Sequence, residues 1–236
     1  IESFVNNQVI VTIVLMHKNQ RGFTTLLLII PVVLIVVSLG IFVSTRNKGL
    51  SDDMYGVPVP NNPELTSLTA PYYEISDIAG VGPYSSNQDA SGYIHNGIDF
   101  MSDRDLVEYR AVSGGVVAET KVFYDSSRTD THPQVNVIVL YNKTTKIVYS
   151  FEPYSKDIID AERQLTLMNV AEGDTIVAGQ SLGKLIKTAP QSHVHIHIMK
   201  NEQTLCFDNM FSESDVAEMM TKATTPLNKP RKLCYE

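Results

Sequence analysis

Positive charge is scarce in most of this 236-residue sequence. The chain has 19 basic and 26 acidic residues, a net charge of −7 at pH 7. Four basic residues and one acidic residue lie within residues 1–49, which leaves 15 basic and 25 acidic residues, a net charge of −10, for the rest. Domains that bind nucleic acids normally present a basic surface. The composition therefore argues against a nucleic-acid partner.

Charge of either sign is missing between Gly22 and Thr45, in the stretch GFTTLLLIIPVVLIVVSLGIFVST. About 20 mostly apolar residues are enough to cross a bilayer as a helix. No polar face recurs at helical spacing, as it would in a helix packed on a globular core. We predict an N-terminal cytoplasmic segment over 1–21 and a transmembrane helix over 22–45. The alternative is a cleaved secretory signal, although the apolar core of such a signal usually has only about 7 to 15 residues.

Tryptophan is absent, and there are only two cysteines, Cys206 and Cys234. Two thiols on the outer side of a membrane would pair and tie the C-terminal tail to the domain. In a reducing compartment they would be two separate buried thiols. The sequence is compatible with both interpretations.

Helical periodicity is also rare. Residues 46–77 are rich in Pro, Asn, Asp and Ser and predict an extended linker. Beyond the linker, short β-branched runs punctuated by Gly and Asn predict strands. Only two stretches, 155–169 and 212–223, predict helices, and the second begins with a Ser-x-x-Asp cap. The predicted strands lie within 109–124, 134–142, 146–151, 174–186 and 193–200. The predicted fold is mostly β, with small helices.

Three histidines occupy alternate positions of the stretch SHVHIHIMK, residues 192–200. Because residues at i, i+2 and i+4 of a strand share a face, we predict that His193, His195 and His197 point to the same side. A single histidine is more often a hydrogen-bonded core residue than a ligand. Three on one face indicate a functional site, since buried neutral imidazoles need partners and charged ones repel each other.

A second candidate group lies in the stretch YIHNGIDF, residues 93–100, where His95 and Asp99 flank Gly97. A nitrogen and a carboxylate oxygen from one loop, joined by an imidazole from a distant strand, make the three protein ligands of a catalytic zinc site. Zinc lowers the pKa of a water molecule in the fourth position toward about 7 and polarises a carbonyl group. His-x-x-x-Asp alone occurs by chance in many chains, whereas its combination with His-x-His is specific.

In these motifs and their order, the chain resembles the lysostaphin-like (LytM-type) zinc metalloendopeptidases, which cut the peptides of bacterial peptidoglycan in the cell wall. The resemblance implies an antiparallel β-sheet domain of the duplicated hybrid motif type over 78–203, followed by a helical extension over 204–236. Besides HNGIDF and SHVHIHI, the stretches that carry it are YRAVSGGVVAE, VNVIVLYNKTTKIVYSF and VAEGDTIVAGQSLGKL.

The resemblance also implies a site and a location. It implies that Zn²⁺ is bound by His95, Asp99 and His195, with His193 as the catalytic histidine. Together with the predicted transmembrane helix, it implies a single-pass plasma-membrane protein whose C-terminal domain is extracytoplasmic. The implied reaction is hydrolysis of peptidoglycan peptide bonds through a zinc-activated water.

Two positions depart from the family. His197 stands where the family usually has an acidic residue and is a candidate auxiliary group. Active members carry Tyr-x-His after the hairpin, whereas YSF puts Phe151 in the place of that histidine. Phenylalanine can neither donate a hydrogen bond nor carry charge, and losing one such donor typically costs about 10²- to 10³-fold in rate. His197, His132 and Glu152 are the candidate substitutes.

Three alternatives follow. A catalytically degenerate domain would bind cell-wall peptide or regulate a partner hydrolase without cutting. A structural or storage metal site fits less well, because structural zinc usually has four protein ligands. Biotinyl and lipoyl carrier domains contain a G-D-x-V-x-x-G-Q stretch like that of this chain, but no lysine-centred hairpin is evident and the histidines would be unexplained.

Overall fold

The computed structural model describes residues 52–87, 94–124, 132–224 and 231–235. They belong to one compact unit, Gly49–Glu236. None of the helices within these described ranges is long and apolar enough to cross a membrane. The predicted segment 1–21 and transmembrane helix 22–45 lie outside the described residues.

Strands dominate the described part of the chain. They are β1 (Ile78–Gly82), β2 (Tyr84–Ser85), β3 (Ile98–Ser102), β4 (Leu106–Arg110), β5 (Gly115–Phe123), β6 (Gln134–Leu140), β7 (Thr145–Glu152), β8 (Thr175–Ile176), β9 (Ser181–Ile186), β10 (His193–Lys200), β11 (Gln203–Leu205) and β12 (Cys234–Tyr235). The α-helices are α1 (Asp52–Tyr55), α2 (Ile158–Leu165) and α3 (Glu213–Lys222), and short 3₁₀ helices span Ile75–Asp77 and Asp208–Met210. The predicted mostly-β fold with small helices is confirmed.

Eight strands form one antiparallel sheet in the order β1, β3, β10, β7, β6, β5, β8, with β11 paired to β10. Two smaller sheets pair β4 with β9 and β12 with β2. Alternation decides which face is buried: on β6, Val135, Val137 and Val139 are buried, and Asn136 and Ile138 between them are only half-buried. Strand β6 therefore has one face toward the core and an opposite face that is only half-buried.

The core face of the main sheet packs against the small β4–β9 sheet. Tyr109 of β4 lies edge-on to Phe151 of β7, with ring centroids 6.0 Å apart, and its hydroxyl donates to the Phe100 carbonyl of β3 at 2.7 Å. The Tyr149 hydroxyl accepts a hydrogen bond from the Val112 backbone N–H at 2.9 Å. Burial raises the pKa of both tyrosines, so each stays a neutral part of the core.

Residues 57–72 contain no helix or strand, but they are packed onto the domain. Leu65 and Leu68 are buried in the main core, and the Leu68 backbone N–H donates to the Met210 carbonyl at 2.9 Å. The sequence assigns this stretch to an extended linker over 46–77. Residues 57–72 of this linker lie on the domain.

The C-terminal region is held to the domain by a helix cap and a cross-link. The Ser212 hydroxyl accepts the Asp215 backbone N–H at 3.1 Å, which is the predicted cap of α3. A disulfide joins Cys206 to Cys234, with Cα atoms 5.9 Å apart. Asp208 lies close to both sulfurs, but bonded sulfurs provide no thiolate for a metal. The disulfide places β12 beside β2, with which it pairs in parallel.

Candidate metal centre

Strand register brings the two predicted motifs together. Strands β10 and β3 are antiparallel neighbours, and His195 lies directly opposite Asp99. Facing residues in such a pair share a side of the sheet. The Nδ1 atom of His195 lies 2.7 Å from Oδ1 of Asp99. Residues separated by 96 positions in the sequence are therefore in direct contact.

His95 reaches the same carboxylate from the loop before β3. Its Nε2 atom lies 3.0 Å from Oδ2 of Asp99, so each carboxylate oxygen faces one imidazole. One nitrogen or oxygen atom from each of His95, Asp99 and His195 lies within 4.8 Å of the others. These three residues, which we call the ligand cluster, are the three predicted metal ligands.

The outer nitrogens of both imidazoles are already engaged. His95 donates from Nδ1 to the Pro83 carbonyl at 2.5 Å, and His195 donates from Nε2 to the Asn96 side-chain oxygen at 3.1 Å. Such partners fix which nitrogen carries the proton and turn the other toward a metal. The inner nitrogens, which face Asp99, are thereby left to bind a cation. Two nitrogens and one carboxylate oxygen form a suitable donor set for Zn²⁺.

The charges within the ligand cluster are strongly coupled. Burial would raise the pKa of Asp99, but hydrogen bonds from His195 and His95 outweigh it and hold that pKa well below its usual range. Burial would likewise lower the pKa of His95, yet its hydrogen bond and charge attraction to Asp99 raise it. Asp99 is thus a carboxylate over the whole physiological range, as a metal ligand must be.

Gly97 is required by the closeness of β10. A Cβ atom at this position would lie 2.4 Å from the Ile196 carbonyl oxygen and 2.6 Å from two ring atoms of His195. Neither a backbone carbonyl nor a packed imidazole can move away without disturbing the sheet. The glycine between His95 and Asp99 therefore lets the loop and the ligand strand approach each other.

His193 lies beside the ligand cluster. It donates from Nδ1 to the Gln191 carbonyl at 2.7 Å, which turns Nε2 toward two carboxylates. That atom is 3.5 Å from Oδ1 of Asp99 and 3.6 Å from Oε2 of Glu152. The predicted catalytic histidine is therefore next to the three ligand candidates, with a nitrogen directed at them.

His197 has a different environment from the other two histidines of β10. Its ring centroid is 5.4 Å from that of His195, and its buried Nδ1 has no hydrogen-bond partner among the described residues. Burial, followed by the nearby charges of His195 and Lys146, lowers the pKa of His197 to about 3. His197 is thus a neutral neighbour of His195 and makes no described contact with Asp99.

Of the three candidate substitutes for a second catalytic histidine, Glu152 comes closest to His193. Phe151 faces Val194 across the strand pair and is fully buried, so it points into the core and away from the ligand cluster. Glu152, the next residue, faces His193. His132 instead stacks on Tyr154, with ring centroids 4.3 Å apart.

The sequence alone did not identify Asn96 as a site residue and did not locate Glu152 beside His193. Asn96 lies inside the HNGIDF motif, but its role depends on the distance to His195, which a motif does not give. Glu152 could have been assigned to the site face from alternation along β7, once the pairing with β10 was known.

The fold and the site together define a mostly antiparallel β domain with a His-Asp-His cluster suited to a divalent cation. No family model and no curated protein matches the chain. Similar solved structures include a candidate M23 peptidase from Pseudomonas aeruginosa (18% identity, TM-score 0.39) and a zinc-containing peptidase from Vibrio cholerae (16%, 0.36). Another is the catalytic domain of the antimicrobial peptidase lysostaphin from Staphylococcus simulans (20%, 0.35).

These likenesses are partial. They cover 72%, 57% and 56% of this chain, and 57%, 35% and 91% of the three neighbours in the same order. The chain thus spans between about a third and just over half of the length of the first two. All three neighbours are peptidases, but at these identities and TM-scores the likeness carries no argument about the function of this chain.

Proposed function

We propose that this protein is a membrane-anchored zinc endopeptidase that hydrolyses peptide bonds of bacterial peptidoglycan. The observation that carries the proposal is the convergence of His95, Asp99 and His195, with both outer imidazole nitrogens already hydrogen-bonded. These residues would hold a zinc ion, which would supply a Lewis acid for activating water and polarising the carbonyl of a bound peptide. We infer a cell-wall peptide as the substrate because the motifs and their order resemble those of the lysostaphin-like peptidases.

The chain's own residues have separate roles in this proposal. His95, Asp99 and His195 hold the metal, and Asn96 orients the His195 ring. His193 directs Nε2 at the space beside Asp99, where it can take up a proton or stabilise negative charge that develops on the peptide. Both functions need an imidazole that is fixed in position, and the Gln191 carbonyl provides this by accepting the Nδ1 proton.

The proposed location is the outer face of the plasma membrane. The uncharged stretch over 22–45 is the proposed anchor, and the disulfide between Cys206 and Cys234 supports an oxidising compartment for the domain. Substrate in the cell wall would be within reach of a domain anchored in this way.

The test is a cleavage assay on the full chain. The zinc-loaded protein is incubated with purified peptidoglycan, and new amino termini are counted. We expect new termini with the parent and none with His95→Ala, which removes one ligand. A parent that binds no zinc, or a His95→Ala variant that cuts as well as the parent, would overturn the proposal.

A second candidate function, binding without cutting, is favoured by the burial of Phe151 in the core. Among the described residues, His193 is the only histidine outside the ligand cluster with an imidazole nitrogen found within 4 Å of the Asp99 carboxylate. If the parent binds zinc and sediments with peptidoglycan but releases no new termini, the domain is a binder or a regulator of a partner hydrolase.

A further inference from the structure

Tyr154 has an unusual backbone conformation next to the ligand cluster. Of the three described non-glycine residues with positive φ, Asn201 and Glu202 form the two-residue turn between β10 and β11, where this conformation is expected. Tyr154 has a φ of 65° and lies in no hairpin. A bulky residue in this region is an outlier, and its backbone is strained. Glycine or asparagine would fit the same backbone with less strain.

The peptide bond before Tyr154 is tied to the strand that carries the histidines. The Pro153 carbonyl accepts hydrogen bonds from the hydroxyls of Thr188 and Ser192. Ser192 is fully buried and immediately precedes His193. These bonds fix the backbone of Tyr154 relative to the first residue of β10.

The ring of Tyr154 is held between two histidines. It stacks on His132, with centroids 4.3 Å apart and planes 21° apart, and its centroid lies 6.2 Å from that of His193. Yet 36% of Tyr154 remains exposed. The strained backbone thus holds a partly exposed aromatic face beside the histidine that borders the ligand cluster.

We propose that Tyr154 is a substrate-positioning residue whose partly exposed ring contacts the peptide substrate next to His193. The inference rests on the proposed function and deepens it by naming a contact for the substrate. An uncharged aromatic face suits contact with the backbone and apolar atoms of an extended peptide. His132 supports the ring from behind. A purely structural role would not require a strained tyrosine where glycine is easier to accommodate.

The experiment distinguishes the effect of backbone strain at Tyr154 from the effect of its ring's contact with the peptide. The full chain, depleted of metal, is sedimented with purified peptidoglycan, once intact and once with its peptides removed by an amidase. We expect Tyr154→Gly to weaken binding to intact peptidoglycan by about 3- to 10-fold, the range for one aromatic contact. Its thermal midpoint should equal or exceed that of the parent, because the strain is relieved. Tyr154→Phe should bind as the parent does.

The matched control is Asn201→Gly, which relaxes a positive φ at the far end of β10 and should leave binding unchanged. The inference fails if Tyr154→Gly binds as the parent does, or if its loss of binding comes with a lowered thermal midpoint. It also fails if the parent does not bind peptidoglycan, or binds the peptide-free glycan equally well.

This result is distinguishable from failure of the proposed activity. If the zinc-loaded parent releases no new termini but its binding still depends on the ring, the peptidase proposal fails and the role of Tyr154 stands. If the parent cuts, Tyr154→Gly should raise KM and leave kcat almost unchanged; the opposite split would overturn the positioning role.

Discussion

At the residue scale, the site depends on a glycine as much as on its ligands. Gly97→Ala would push a methyl group against the His195 ring and the Ile196 carbonyl. We expect zinc affinity, measured by competition with a chelator, to fall by about 10- to 100-fold, as it does when a ligand's support is lost. The control is Gly179→Ala, which strains a positive φ in open space and should lower stability without changing zinc affinity. Equal affinities for both variants would contradict the steric account.

Protonation of the same residues gives a pH dependence with a definite sign. His95 has a raised pKa, so its pairing with Asp99 stabilises the metal-free protein below the ordinary value of 6.5 and is lost as pH rises through the raised pKa. Zinc competes with that proton. Zinc affinity should therefore rise with pH and level off only above the pKa of His95.

This dependence can be checked by measuring zinc affinity and metal-free thermal stability across the same pH series, from about pH 6 to pH 8.5. Affinity should increase over the range while the contribution of the His95 pair to stability decreases. Affinity that is independent of pH would show that the imidazoles are not the ligands.

At the scale of single elements, the position of Phe151 on strand β7 directs its side chain into the core. The Phe151 side chain is fully buried against Tyr109, so Phe151→His would place an imidazole in the core. We expect the free energy of unfolding to fall by at least about 2 kcal/mol, with no gain of cleavage. The same change at the half-exposed Phe123 should cost less than about 0.5 kcal/mol. Denaturant unfolding of both variants measures the two losses of stability. If Phe151→His gains cleavage of peptidoglycan, position 151 faces the substrate.

Much of this element structure could be predicted from the sequence. Alternation over 193–200 predicted both the strand and the shared face of its three histidines, because period-2 patterning needs no long-range information. The sequence could not show that Phe151 points away from that face. That depends on the register between β7 and β10, which is set by pairing across more than 40 residues.

At the scale of the whole molecule, residues 57–72 of the predicted extended linker are packed on the domain, and we call them the docked segment. Its buried leucines occur without a period, so no pattern distinguishes them from the occasional apolar residues of a spacer. The packing depends on contacts between residues far apart in the sequence, such as Leu68 and Met210, which no local pattern shows.

The docked segment predicts a stability effect. Leu68→Ala should lower the free energy of unfolding by about 2 to 5 kcal/mol, because a buried leucine would be replaced by a cavity. Leu106→Ala, at a side chain that is mostly exposed, is the matched control and should cost less than about 0.5 kcal/mol. If both substitutions cost equally little in denaturant unfolding, the segment is a free spacer.

If His95, Asp99 and His195 form one metal site, the zinc content of the full chain should depend on these residues. The parent, His195→Ala and His132→Ala are dialysed against the same zinc buffer, and bound zinc per chain is measured by mass spectrometry. We expect about one zinc for the parent and for His132→Ala, whose imidazole lies outside the ligand cluster, and none for His195→Ala. A parent without zinc, or a His195→Ala variant that retains it, would show that the ligand cluster is not the metal site.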